Sequence, residues 1–159
     1  MTTNYRMKVD QRLMPLISLV LFIASLTQTA LVYMGNKGTG SFAAVDMLLM
    51  GSIAILGGGT LEWFIWLANP FYLLSIFYFY RKNGVKSSGY GIFAAVLALL
   101  FSSWKRILIS ESGSSGSIIT LKAGYYLWLA SIMLMAVISF HYYFQQQKEI
   151  QQKERSVSQ

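Results

Sequence analysis

Apolar residues gather in four long stretches, 13–34, 61–80, 90–109 and 118–144, with short polar clusters between them and a fifth, shorter apolar stretch at 42–56. A helix rising 1.5 Å per residue needs about 20 apolar residues to cross the hydrocarbon of a bilayer, so each long stretch predicts a spanning helix. The stretch 42–56 falls short of that length and runs into Gly57-Gly58-Gly59, which breaks a helix. It predicts a non-spanning helix, re-entrant or lying in the interface. Residues 35–41 read as a turn, and the Ser/Gly-rich segment 110–117 as a flexible loop. The first stretch reads as a retained signal anchor, because cleavage after Ala30 would leave Gln28 at the −3 position. The expected fold is thus all-α: an integral membrane four-helix bundle, one domain over 1–144, followed by a polar tail, 145–159.

Composition agrees with that class. The chain of 159 residues is 55% hydrophobic and 12% charged, about half the charged share of a soluble domain. Without cysteine it holds no disulfide, thiolate site or cysteine nucleophile. The net charge of +7 does not point to nucleic acid, since the basic residues cluster at the ends of apolar stretches, where they set topology. With four spans, nine Lys and Arg (Arg6, Lys8, Arg12, Arg81, Lys82, Lys86, Lys148, Lys153, Arg155) share one side, against four (Lys37, Lys105, Arg106, Lys122) on the other. A fifth crossing at 42–56 would give six against seven. Cytoplasmic loops collect Lys and Arg, so four spans with both termini cytoplasmic is the expected topology. Aromatics concur: Trp63, Trp66 and Trp104 fall near the outer interface, and Tyr78, Tyr80, Tyr90, Tyr142 and Tyr143 near the inner one.

That topology places Asp46, Glu62, Lys105, Arg106, Glu111 and Lys122 on the outer side, where charges at membrane depth tend to pair or line a wet cavity. Asp46 and Glu62 start helices and Lys105 and Arg106 end one, as the helix dipole favours, whereas Lys122 near a helix start calls for an acidic partner such as Glu62 or Asp46. In the second span Glu62, Trp66 and Asn69 share one face, and Pro70 withdraws the donor that the Trp66 carbonyl would receive, which predicts a kink. Such a break either frees carbonyls for an ion or is packed over, with Asn69 bonded to a neighbouring helix. Ala94, Ala98 and Ser102 form a small-residue stripe for close helix contact. His141 reads as an interface residue; metal-ligand spacing, a nucleophile elbow and a phosphate loop are all missing from the sequence, so neither a cofactor nor an enzyme is expected. The tail extends the last helix, with Glu149 and Lys153 as an i, i+4 pair.

The strings Leu-Glu-Trp-Phe-Ile-Trp-Leu-Ala-Asn-Pro (61–70) and Gly-Tyr-Tyr-Leu-Trp-Leu-Ala-Ser (124–131) resemble motifs of small, uncharacterised bacterial multi-pass membrane proteins, of the forms Trp-x-Ala-Asn-Pro and Tyr-x-x-Trp-x-x-Ser. Here their positions are Trp66, Ala68, Asn69 and Pro70, and Tyr125, Trp128 and Ser131. The resemblance covers about a quarter of the chain and implies a bacterial inner-membrane protein without an activity. It draws Trp128 into the candidate set with Asp46, Glu62, Trp66, Asn69, Pro70, Lys105, Arg106 and Lys122. The expected function is a non-enzymatic interaction protein of the inner membrane (accessory, immunity-type or regulatory) whose partners are the bilayer and another membrane protein or a second copy of itself. The alternative is a small oligomeric channel or transporter that uses the Asn69-Pro70 break. A cytoplasm-active reporter fused after Lys86, and another after Gln159, is expected to be active at both sites; an exported signal at Lys86 would refute four spans.

Overall fold

The computed structural model describes residues 9–36, 38–109 and 114–157. Six α-helices and four strands follow in the order α1 (Val9–Leu26), β1 (Thr29–Gly35), β2 (Gly38–Ala43), α2 (Ala44–Ile53), α3 (Thr60–Trp66), α4 (Ala68–Tyr80), α5 (Gly84–Phe101), β3 (Arg106–Leu108), β4 (Ser115–Leu121) and α6 (Ala123–Val157), with a 3-10 turn at Ala54–Gly57. The all-α expectation is therefore wrong. Ends of the apolar stretches, together with most of the expected turn 35–41 and part of the expected loop 110–117, form a four-stranded antiparallel sheet of order β2-β1-β4-β3.

The physical reason is local. The expected helix 13–34 ends at Leu26, where Thr27-Gln28-Thr29 interrupts the apolar run and the Thr27 and Gln28 amides close a last turn on the Ala24 and Ser25 carbonyls. Beyond it Thr29, Val32 and Tyr33 are strand formers. The expected helix 90–109 starts at Gly84 and stops at Phe101, before Ser102-Ser103. Ile118-Ile119-Thr120, expected to open the last helix, is a β-branched run and sits in β4, as does Ser115–Ser117 of the expected loop. Part of that loop, with Glu111, and Lys37 of the first turn lie outside the described residues.

The sheet grows directly out of the helices. β1 continues α1, β4 leads into α6, and these two central strands pair through Leu31↔Leu121 and Val32↔Thr120. The join is tight: the Lys122 N–H donates to the Ala30 carbonyl at 2.7 Å, and a Cβ on Gly124 would come within 2.8 Å of the Thr29 carbonyl oxygen. β2 turns into α2, whose apolar residues pass over the end of the helices that carries the sheet; Gly58, at φ +84°, then reverses the chain into α3.

Below the sheet, α6 packs between α1 and α5, and α4 lies against α5 and touches α1. Three helical segments, Thr60–Tyr80, Gly84–Phe101 and Ala123–Ser156, are long and apolar enough to cross a membrane, by length and composition; Arg12–Leu26 and Ala44–Gly57 are shorter apolar helices. Two buried serine clusters lock the bundle. Ser18 Oγ donates to the Ser131 carbonyl at 2.8 Å and lies 2.8 Å from the Tyr72 hydroxyl, joining α1, α4 and α6, while the Tyr72 ring stacks on Phe22. Ser75, Ser87 and Ser139 meet at the junction of α4, α5 and α6: the Ser75 and Ser87 hydroxyls each donate to the other's carbonyl at 2.8 Å, and each lies 3.0 Å from Ser139 Oγ.

Close approach there relies on small residues. Ala94 and Ala98 of the expected stripe are fully buried, but Ser102 is exposed, and the stripe runs instead through Ser87 and Gly91. A Cβ on Gly91 would stand 2.9 Å from Ser75 Oγ and 3.2 Å from the Ala136 Cα, whereas one on Gly89 meets nothing within 4 Å. Gly91→Ala is expected to lower stability by about 1–3 kcal/mol through overpacking. Gly89→Ala should be neutral or stabilising by up to ~1 kcal/mol. Thermal unfolding of both in one detergent checks the contrast, and equal effects would refute the packing argument.

Candidate functional site

Sheet, α2, α3 and the upper end of the bundle enclose a chamber of about 800 Å³. Its wall is mainly apolar: Met47, Leu48, Met50 and Ile53 come from α2, Ile107 and Leu108 from β3, Phe101 from α5 and Ile65 from α3. Met50, Ile53 and Leu56 are 56%, 48% and 86% exposed, so the chamber opens along α2 and the 3-10 turn with an apolar rim. A helix apolar on every face gains by immersion in lipid or by cover, and α2 has the sheet on one side. Methionines give such a wall an adaptable surface.

A relay of hydrogen bonds supports this chamber. The Trp66 indole N–H of α3 donates to the Leu48 carbonyl of α2 at 2.7 Å, and a Cβ on Gly51 would meet the Trp66 ring at 2.6 Å, so α2 rests on the indole. At Leu67 the helix breaks, and Pro70 has no N–H to give the Trp66 carbonyl. Asn69 supplies it: its Nδ2 donates to that carbonyl at 2.9 Å, while its Oδ1 accepts from the Trp128 indole of α6 at 2.8 Å. The side chain that would offer an oxygen to an ion is thus engaged at both ends. Tyr125, one turn before Trp128, donates its hydroxyl to the Ala98 carbonyl at 3.0 Å and ties α6 to α5 beside the chamber.

Of the residues singled out in the sequence, Asp46, Glu62, Trp66, Asn69 and Trp128 meet on the chamber wall, and Pro70 shapes the break beneath it. Lys105, Arg106 and Lys122 are exposed and do not line it. Glu62 accepts the Leu108 N–H of β3 on Oε1 at 3.0 Å, pinning the start of α3 to the sheet. Asp46 reaches the Ala43 N–H at 3.4 Å, at the start of α2. Arg106 donates to Ser115 Oγ across the β3–β4 pair. The Lys122 side chain points to the surface while its backbone joins β1 to α6. Among the described residues no group of three His, Asp or Glu side chains is placed to hold a metal ion.

Most of the wall, Met47, Met50, Ile53 and Ile107 included, was not singled out in the sequence, whereas Tyr125 was named as a motif position. The wall's one available signal was the uninterrupted Met47-Leu48-Leu49-Met50, too apolar for an exposed surface helix. Comparison of the chain with protein-family models, with curated proteins and with solved structures finds no match.

Asn69→Leu leaves the Trp66 carbonyl and the Trp128 indole without partners, and is expected to lower stability by on the order of 1 kcal/mol, the scale of an interhelical hydrogen bond in a membrane. Pro70→Ala returns an N–H to the Trp66 carbonyl, so Asn69→Leu should cost less in that background than in the wild type. Unfolding of the two single variants and the double in detergent measures this; strict additivity would refute the bracket.

Proposed function

We propose that this is a non-enzymatic interaction protein of the bacterial inner membrane (accessory, immunity-type or regulatory) whose outer chamber engages an apolar part of another membrane component. α1, whose apolar part Arg12–Leu26 is shorter than the three segments long enough to cross, is held along α6 and α4 by Ser18 and by the Tyr80 hydroxyl, which donates to the Arg12 carbonyl at 3.0 Å. The observation that carries the reading is the chamber itself, an apolar volume of about 800 Å³ at the end of the bundle that carries the sheet. A path for ions or solutes has less support. Ser75, Ser87 and Ser139 bond one another and neighbouring carbonyls, and Asn69 is taken up by Trp66 and Trp128.

Purified protein in liposomes is expected to pass no ion or solute above the level of empty liposomes. Flux that is lost on Asn69→Leu with unchanged melting would overturn the reading in favour of an oligomeric channel or transporter built on the Asn69-Pro70 break.

A further inference from the structure

We propose that the chamber binds a single-chain amphiphile with a protonated amine head, its tail among the Met, Leu and Ile side chains and its amine against Glu62 and Asp46. This rests on the reading of the protein as a membrane binding module and names the chemistry of its ligand.

Size and shape come first. A volume of about 800 Å³ lies within the range of clefts that enclose small ligands, roughly 300–1,000 Å³. The rim of Met50, Ile53 and Leu56 is apolar and exposed, so an alkyl chain enters sideways without crossing a polar barrier. Burying such a chain gains about 0.8 kcal/mol per CH₂ relative to water, and Met47, Met50 and Ile53 adapt to its path.

Charge selects the head. The chain carries a net +7, yet the charged residues among the described lining are both acids, Asp46 and Glu62. Two carboxylates over low-dielectric walls focus a negative potential at the chamber, which attracts an ammonium group and repels a sulfate or phosphate. Glu62 is held for this role. Its Oε1 is fixed by the Leu108 N–H at 3.0 Å, and Oε2 makes no hydrogen bond to a described residue, so that oxygen can receive an ammonium proton. Asp46 is exposed and its bond to the Ala43 N–H is long, 3.4 Å, leaving most of its accepting capacity unused.

The test uses the full chain in nanodiscs of zwitterionic lipid, with Trp66 and Trp128 on the wall as reporters. Dodecylamine, dodecanol and dodecyl sulfate, each brominated at the tail, are titrated in while tryptophan quenching is followed, with free tryptophan-bearing peptide in the same discs as background. The amine is expected to half-saturate at about fivefold lower membrane content than the alcohol, the scale of one exposed charge pair, and the sulfate to bind worst. Glu62→Gln keeps an oxygen for the Leu108 N–H and should shrink the amine's advantage over the alcohol, and Glu62→Gln with Asp46→Asn should abolish it. Asp46→Asn alone should likewise shrink it and provides the comparison if Glu62→Gln melts early. Equal quenching by the three heads, preference for the sulfate, or quenching no greater than background would overturn the proposal. Flux in the liposome assay would overturn the broader reading without altering the order of heads, so the two failures are separable.

Discussion

The end of this protein that carries the sheet hangs on one relay of hydrogen bonds through Asn69 and Pro70. Pro70 leaves the Trp66 carbonyl without its backbone donor, and a polar group buried without a partner costs on the order of 1–3 kcal/mol. Asn69 removes that cost from within the same helix and spends its second polar end on Trp128. Trp66 in turn gives its indole N–H to Leu48. One continuous path therefore joins α2, α3, α4 and α6. With the Trp66 carbonyl satisfied, Glu62 and Ile65 of α3 stand on the chamber wall and α2 rests on the Trp66 indole.

The sheet answers the same demand by another route. Chain leaving α1 and entering α6 must satisfy its backbone groups, and it does so strand against strand. Because β1 and β4 continue helices that already pack together, their pairing adds few new constraints on the chain. β3 gains from this arrangement too: Ile107 and Leu108 are held over the chamber by β4 on one side and, through the Leu108 N–H, by the Glu62 carboxylate. The carboxylate thus ties the sheet to α3 while keeping a negative charge at the chamber.

What could be read from the chain followed the scale of the signal. Length and hydropathy marked the helical segments, and the loss of a backbone donor for the Trp66 carbonyl followed from proline chemistry, since both depend on neighbouring residues alone. The strands escaped because hydropathy does not distinguish an apolar helix from an apolar strand. Thr27-Gln28-Thr29 and the β-branched Ile118-Ile119-Thr120 carried that information but were absorbed into runs judged by length. Polar candidates were legible as types and not as partners. Asp46, Glu62, Trp66, Asn69 and Trp128 converge on the chamber, whereas Lys122, expected to seek an acid, projects to the surface from a turn whose backbone does the joining. Nothing in Met47 or Ile107 alone reveals that they line one chamber, because that depends on the register of a sheet built from distant segments.

The half of the bundle away from the sheet shows why so few polar residues are enough. Serine is small enough for helices to approach along Ser87, Gly91, Ala94 and Ala98, and its hydroxyl can bond a carbonyl of its own or a facing helix, so closeness and polarity reinforce each other. The Ser75–Ser87 exchange is reciprocal, each hydroxyl taking the other's carbonyl, which fixes the relative height of α4 and α5 as a register pair fixes two strands. Gln146 secures the end of the same pair, accepting the Gly84 N–H at 2.9 Å and donating to the Lys82 carbonyl at 2.8 Å. The long α6 thereby clasps the α4–α5 loop at one end and joins the sheet at the other. A shift of α6 along its axis would strain both ends at once, so the chamber beside the sheet is held in shape by contacts made at the far end of the bundle.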